Sequence, residues 1–119
     1  MANILIVDDS TIYRGIMREI LESAGHTVAG EACDGEEAID KYKELRPDIT
    51  TLDITMPVMN GIDSLKEIMK FDPEAKIIMV SSTAQQNTIA EALISGAYDF
   101  FPKPLDPEQV MQSLDSIIT

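Results

Sequence analysis

Ile4-Leu5-Ile6-Val7-Asp8-Asp9-Ser10 sets two opposed chemistries side by side, an unbroken apolar run and then two carboxylates and a hydroxyl. The apolar part does not alternate with polar residues. It therefore predicts a strand over 3–7 that is covered on both faces, as central strands of parallel sheets are. Ser10 is a good N-cap for a following helix. In that helix Ile12, Ile16 and Ile20 recur at four-residue spacing and predict its inward face, and Gly25 supplies the stop.

Outward from this unit the same pattern repeats. Further strands are expected over 28–32, 49–52, 76–80 and 99–101. Asp34 caps a second helix carrying Ala38, Tyr42 and Leu45 on one face and ended by Arg46-Pro47. Ile62, Leu65, Ile68 and Met69 face one way on a third, which stops before Pro73. Ile89 and Leu93 mark a fourth that Gly96 ends. Pro107 suits the first turn of the last helix, where Val110, Leu114, Ile117 and Ile118 form the apolar stripe. Strict strand-helix alternation predicts an α/β fold, an open five-stranded parallel sheet with helices on both faces, because each crossover must be right-handed. With no linker, repeat or low-complexity stretch, one domain over 1–119 is expected.

The chain has 119 residues, 45% of them hydrophobic, enough to bury a core without disulfides or a structural metal. Its 9 basic and 21 acidic side chains leave a net charge of −12, which argues against binding a nucleic-acid backbone. The apolar run of Ile4 to Val7 is too short for a membrane span or a signal-peptide core. A soluble, cytoplasmic protein without nucleic-acid or membrane partners is the expectation. Cys33, the single cysteine, cannot form an internal disulfide and lacks the Cys/His company of a metal site, so it is expected to be a packing residue. His26, after Ala24-Gly25, is expected at a surface turn, and the seven methionines as core filler and start.

In open parallel sheets, ligands bind beyond the carboxyl ends of the strands. Here the first strand ends in Asp8-Asp9, the third in Asp53, the fourth in Ser81-Ser82-Thr83, and the fifth runs into Lys103-Pro104. Two like charges about 4 Å apart repel by roughly 4 kcal/mol at an effective dielectric near 20. Something must compensate them. Lys103 can offset one charge, and a hard divalent cation such as Mg²⁺, held by the Asp8-Asp9 pair, can offset two more. Asp53, which stands alone, is then the candidate nucleophile for an aspartyl-phosphate.

At this point the residues resemble a known family, the receiver domains of two-component response regulators, especially the single-domain, CheY-like chemotaxis forms. The marks are Ile4-Leu5-Ile6-Val7-Asp8-Asp9-Ser10, Asp53 with Met56-Pro57 and Gly61, Ser81 at 28 residues beyond Asp53, Gly96-Ala97-Tyr98-Asp99-Phe100, and Lys103-Pro104 at 50 residues beyond Asp53. They cover essentially the whole chain. The resemblance implies the flavodoxin/CheY-like strand order 2-1-3-4-5. It implies that Asp53 is the phosphoacceptor and that Mg²⁺ is held by Asp9 directly, Asp8 largely through water, Asp53, and the backbone carbonyl of Thr55. Lys103 would pair with Asp53 at rest and with the phosphoryl group afterwards, and the Lys103-Pro104 bond would be cis. Ser81 would hydrogen-bond a phosphoryl oxygen, and Phe100 would turn inward as that hydroxyl moves, passing the change to the fourth helix, fifth strand and fifth helix. Partners implied are a histidine kinase as phosphoryl donor and a downstream protein, such as a flagellar motor switch component or a phosphorelay protein, with the chain itself a monomer. It would not be an enzyme in the ordinary sense, only a signalling protein with self-catalysed phosphoryl uptake and loss.

Three residues depart from the family pattern. Ser82 stands where alanine or glycine is usual, Phe100 lacks the tyrosine hydroxyl, and Pro102 removes a backbone donor from the fifth strand. Two rival classes compete, one sharing the aspartyl-phosphate chemistry and the other the topology. A haloacid-dehalogenase-type Mg²⁺ phosphatase needs a second aspartate two positions after the first, where Thr55 stands; a flavodoxin-like cofactor binder needs a first loop free of carboxylates, where Asp8-Asp9 stands. Within the favoured class a stand-alone chemotaxis output protein competes with a phosphorelay intermediate and with a receiver cut from a larger protein. The end of the chain just after the last helix favours a stand-alone module.

Overall fold

The computed structural model describes residues 2–82 and 85–118. Five strands alternate with five helices: β1 Asn3–Val7, α1 Thr11–Ser23, β2 Thr27–Ala32, α2 Gly35–Leu45, β3 Ile49–Asp53, α3 Gly61–Phe71, β4 Ile77–Ser81, α4 Gln86–Ile94, β5 Asp99–Pro102 and α5 Pro107–Ile118. The sheet is parallel throughout, in the order β2-β1-β3-β4-β5. This is the topology expected of the sequence.

The unbroken apolar run of β1 has a direct explanation in the two-sided core. Leu5 and Val7 join Leu52, Ile77 and Met79 under Ala38, Tyr42, Leu65 and Ile68 on one face. Ile4 and Ile6 point the other way, with Ile49, Ile78 and Val80, against Met17, Ile20, Leu21, Val110 and Leu114. The caps read from sequence are in place: Ser10 and Asp34 accept from the backbone N–H groups of Tyr13 and Glu37, three residues on.

Several local expectations change. Of Ile12, Ile16 and Ile20 only Ile20 is buried, while Ile12 is 75% exposed. Residues four apart drift by about 40° per step around a helix of 3.6 residues per turn, so three residues at this spacing spread over about 80° and do not share one inward line. Met17 and Leu21 complete the buried stripe of α1 instead. Helix α4 lies shallow: Ala92 is its buried residue, and Leu93 is exposed. On α5 the stripe is buried at Val110 and Leu114 and fades outward, leaving Ile118 exposed. Cys33 is exposed, because the chain leaves the outer strand β2 after the buried Ala32. Pro102 costs no ladder hydrogen bond. It ends the outer strand β5, and its neighbour Lys103 donates to the Ser81 carbonyl at 2.8 Å, so the nitrogen at Pro102 faces the free edge.

His26 is buried rather than at a surface turn. Its Nδ1 accepts from the Ala2 amide at 3.1 Å, which ties the residue before β1 to the turn between α1 and β2. Burial holds the imidazole below its ordinary 6.5, outweighing the opposite pull of Asp115. The unfolded chain therefore takes up a proton near pH 6.5 that the native state resists, and stability is lost as pH falls below that value. Chemical denaturation between pH 7.5 and 5.5 is expected to show this slope in the wild type and a weaker one in His26→Gln. An equal slope in both proteins would remove His26 as its source.

Candidate functional site

Parallel strands deliver their carboxyl ends to a single edge of the sheet, and Asp8, Asp9, Asp53, Ser81 and Lys103 arrive there. Asp8 and Asp9 follow β1, Asp53 ends β3, Ser81 ends β4, and Lys103 follows β5. Asp8 and Asp53 are 5% and 4% exposed, whereas Asp9 is open to solvent. The three carboxylates bring oxygens within 4.8 Å of one another. This donor set, all oxygen and without thiolate or imidazole, fits a hard divalent cation.

Lys103 lies across the cluster. Its Nζ is 2.9 Å from Asp8 Oδ2 and 3.7 Å from Asp53 Oδ2, so the closer ion pair is with Asp8 rather than with Asp53 as expected. Asp8 has both oxygens engaged, since the Ser10 amide donates to Oδ1 at 2.9 Å. Burial pushes the Asp53 carboxyl up to about 6, with the Asp8 charge adding to the effect and Lys103 opposing it. On Lys103 burial acts downward, but the Asp8 hydrogen bond and the Asp53 charge together raise the ammonium above its usual range, so it stays charged. The Lys103-Pro104 bond is cis.

Ser81 is buried at the end of β4, one residue beyond Val80, the register partner of Asp53. Phe100, half-buried, pairs with Met79 in register and packs on the core face that includes Ala92 and Ala97. Thr55 is exposed in the bend after β3. Thr83 lies outside the described residues. The closeness of Gly61 to Asp53 explains its presence better than helix geometry does: a Cβ there would run into the Asp53 carbonyl oxygen. The Gly61 amide also donates to the Ile54 carbonyl at 2.7 Å, so the start of α3 is drawn against the strand end that carries the carboxylate.

Two residues escaped the reading of the sequence. Arg14 donates from its guanidinium to the Asp8 carbonyl at 2.8 Å and from Nε to Glu31 at 2.9 Å, and Glu31 is shared with Arg18. The Asp8 backbone is thereby anchored to β2. Tyr13 sets its ring against the Lys103 ammonium, 4.0 Å from Nζ to the centroid. The available signal was the Ser10 cap, which puts both residues on the first inward turn of α1.

Residues 4–115 match the response regulator receiver domain, and the chain belongs to that family. Among curated relatives, the chemotaxis protein CheY of Thermotoga maritima is 54% identical over 114 residues, covering 96% of this chain and 95% of that protein. Protein CcdB of Bacillus subtilis is 48% identical over 118 residues, covering 99% and 98%. A chain in the crystal structure of the CheX-CheY-BeF3-Mg²⁺ complex from Borrelia burgdorferi superposes with a TM-score of 0.95 at 44% identity, covering 98% of this chain and 89% of that one. This is a receiver domain closely related to the CheY chemotaxis proteins, the class of phosphorylation-activated switches, and the haloacid-dehalogenase alternative has no support. Among the described residues no helix is long and apolar enough to cross a membrane.

Two substitutions probe the cost of this arrangement. The Asp53 carboxyl, ordinarily at 3.8 and here near 6, binds its proton more tightly in the native state. Stability therefore falls as pH rises through about 4 to 6, and at pH 7 the buried charge weakens the fold by about 3 kcal/mol. Asp53→Asn is expected to unfold at a higher temperature than wild type at pH 7 in metal-free buffer; an unchanged or lower midpoint would refute the burial argument. Gly61→Ala is expected to lose about 2–4 kcal/mol in urea unfolding, because backbone rather than a movable side chain meets the added methyl group.

Proposed function

We propose that the chain is a cytoplasmic, Mg²⁺-dependent phosphorylation switch of a two-component system, with Asp53 as the phosphoacceptor and chemotaxis as the pathway. One observation carries this reading: three carboxylates converge at one sheet edge around a lysine that bridges the two buried ones. Asp9, Asp53 and the Thr55 carbonyl would hold the ion directly, with Asp8 reaching it largely through water. When bound, Mg²⁺ supplies positive charge to the oxygens of the transferring phosphoryl group and lowers the proton affinity of Asp53.

The protein residues then have separate tasks. An Asp53 oxygen attacks the phosphorus of a phosphohistidine on a kinase, or of a small acyl phosphate. The new O–P bond forms as the P–N or P–O bond to the donor breaks, and the bonding electron pair leaves with the donor's nitrogen or oxygen. With the carboxyl raised only to about 6, Asp53 is still mostly ionised at pH 7. Lys103 needs only a small swing from Asp8 to reach a phosphoryl oxygen beyond Asp53. Ser81 donates its hydroxyl to another oxygen of the same group. Phosphorylation brings about −1.5 to −2 charge and three strong acceptors into the site.

The output is read on α4, β5 and α5. Phe100 of β5 packs, partly buried, on the core face that includes Ala92 of α4, and Leu93 and Ile94 at the end of α4 and Tyr98 in the turn after it are exposed. A displacement of Ser81 that lets Phe100 turn inward would reshape this face, and its partner is a downstream protein such as a flagellar motor switch component. Moving a switch from 1:99 to 99:1 needs about 5.5 kcal/mol of differential interaction, within reach of a few charge-assisted hydrogen bonds and metal contacts.

Incubation with acetyl phosphate and Mg²⁺ is expected to add about 80 Da, the mass of a phosphoryl group, at Asp53. The adduct should be absent in Asp53→Asn and without the metal. Peptide-mapped mass spectrometry showing equal adduct in the Asn variant would overturn the assignment.

A further inference from the structure

The Lys103 ammonium has three N–H donors to place, and its side chain is only 9% exposed. One donor meets Asp8 Oδ2 at 2.9 Å and a second side faces Asp53 Oδ2 at 3.7 Å. The Tyr13 ring lies within 4.0 Å of the same nitrogen. An aromatic face carries partial negative charge and attracts a cation without adding another formal charge to an already acidic cluster. A fourth carboxylate at this place would compete with the ion for the lysine; the ring does not.

Local backbone structure holds the ring there. The Ser10 amide donates to Asp8 Oδ1, and the Ser10 hydroxyl accepts from the Tyr13 amide at 3.2 Å. Asp8, Ser10, Tyr13 and Lys103 thus form a closed loop of two hydrogen bonds, an ion pair and a cation-aromatic contact. The cap that starts α1 also sets the distance between the ring and the carboxylate that share the lysine. Lysine has a flexible four-carbon stem, and an ammonium held on several sides loses less freedom when it engages a phosphoryl group.

We propose that Tyr13 is a positioning residue for phosphoryl transfer, its ring face holding the Lys103 ammonium between Asp8 and Asp53 so that it meets the phosphoryl group arriving on Asp53. This rests on the reading of Asp53 as phosphoacceptor. The ring, not the hydroxyl, is the working part, so Tyr13→Phe should restore what Tyr13→Leu loses.

The test uses the full chain with acetyl phosphate and Mg²⁺. The initial rate of adduct formation is expected to fall about fivefold in Tyr13→Leu, the equivalent of ~1 kcal/mol, and to stay within about twofold of wild type in Tyr13→Phe. Nuclear magnetic resonance supplies a readout that general destabilisation would not give. The Lys103 ε-methylene protons should be shifted upfield by the ring in wild type and Tyr13→Phe, and return toward ordinary lysine positions in Tyr13→Leu. If Tyr13→Leu does not fold, Tyr13→Met takes its place. Wild-type rates in a folded Tyr13→Leu, an equal loss in Tyr13→Phe, or no ring shift on Lys103 would overturn the proposal alone. No adduct on wild type would overturn the phosphoryl-transfer reading and this proposal with it.

Discussion

A single ammonium group between two buried carboxylates is the constraint around which the acidic edge of the molecule is arranged. Asp8 and Asp53 each lose most of their water on folding. Without Lys103 their mutual repulsion in a low-dielectric pocket would have no local answer. Placing that lysine takes the whole right-hand part of the sheet. Its backbone amide is bound to the Ser81 carbonyl, and it follows an outer strand that pairs only with β4. The offset is also incomplete, because one positive charge stands against three negative ones. The raised proton affinity of Asp53 records this imbalance, with burial the larger part. A site held in that state gives up stability and gains affinity for a cation and for a group that redistributes charge.

The surrounding architecture separates the fixed parts from the movable ones. Asp8 is held from three directions, by Lys103, by the Ser10 amide, and through its carbonyl by Arg14, which is in turn bound to Glu31. The start of α3 presses on the Asp53 backbone through Gly61. On the opposite flank α4 is held through Ala92 and offers exposed apolar side chains. A charge event at a rigid pocket beside a lightly anchored helix is the physical basis of a two-state switch.

Much of this was legible along the chain because it rests on local rules. Covered strands need apolar residues on both faces, so Ile4 to Val7 marked the sheet. Caps are made within three or four residues, so Ser10 and Asp34 announced α1 and α2. Strand ends could be lined up once the sheet was parallel, which brought Asp8, Asp9, Asp53, Ser81 and Lys103 to one edge. Local rules failed where burial depends on what lies across a gap. Ile12 has the right spacing but the wrong phase, and His26 follows a turn yet is covered by the start of β1. Cys33 is one residue beyond the last position its strand can bury.

The amino-acid sequence by itself determined the alternation of elements, the parallel sheet, and the set of charged groups at its carboxyl edge, since each follows from periodicity, caps and chain order. Only the tertiary structure decided how those groups share one another. That Lys103 lies nearer to Asp8 than to Asp53, that Tyr13 closes the third side of its ammonium, and that Gly61 must lack a side chain are set by distances across the site between separate segments of the chain. The reason is physical: periodicity states which face a residue takes, while distances across a site are set by the packing of every layer around it.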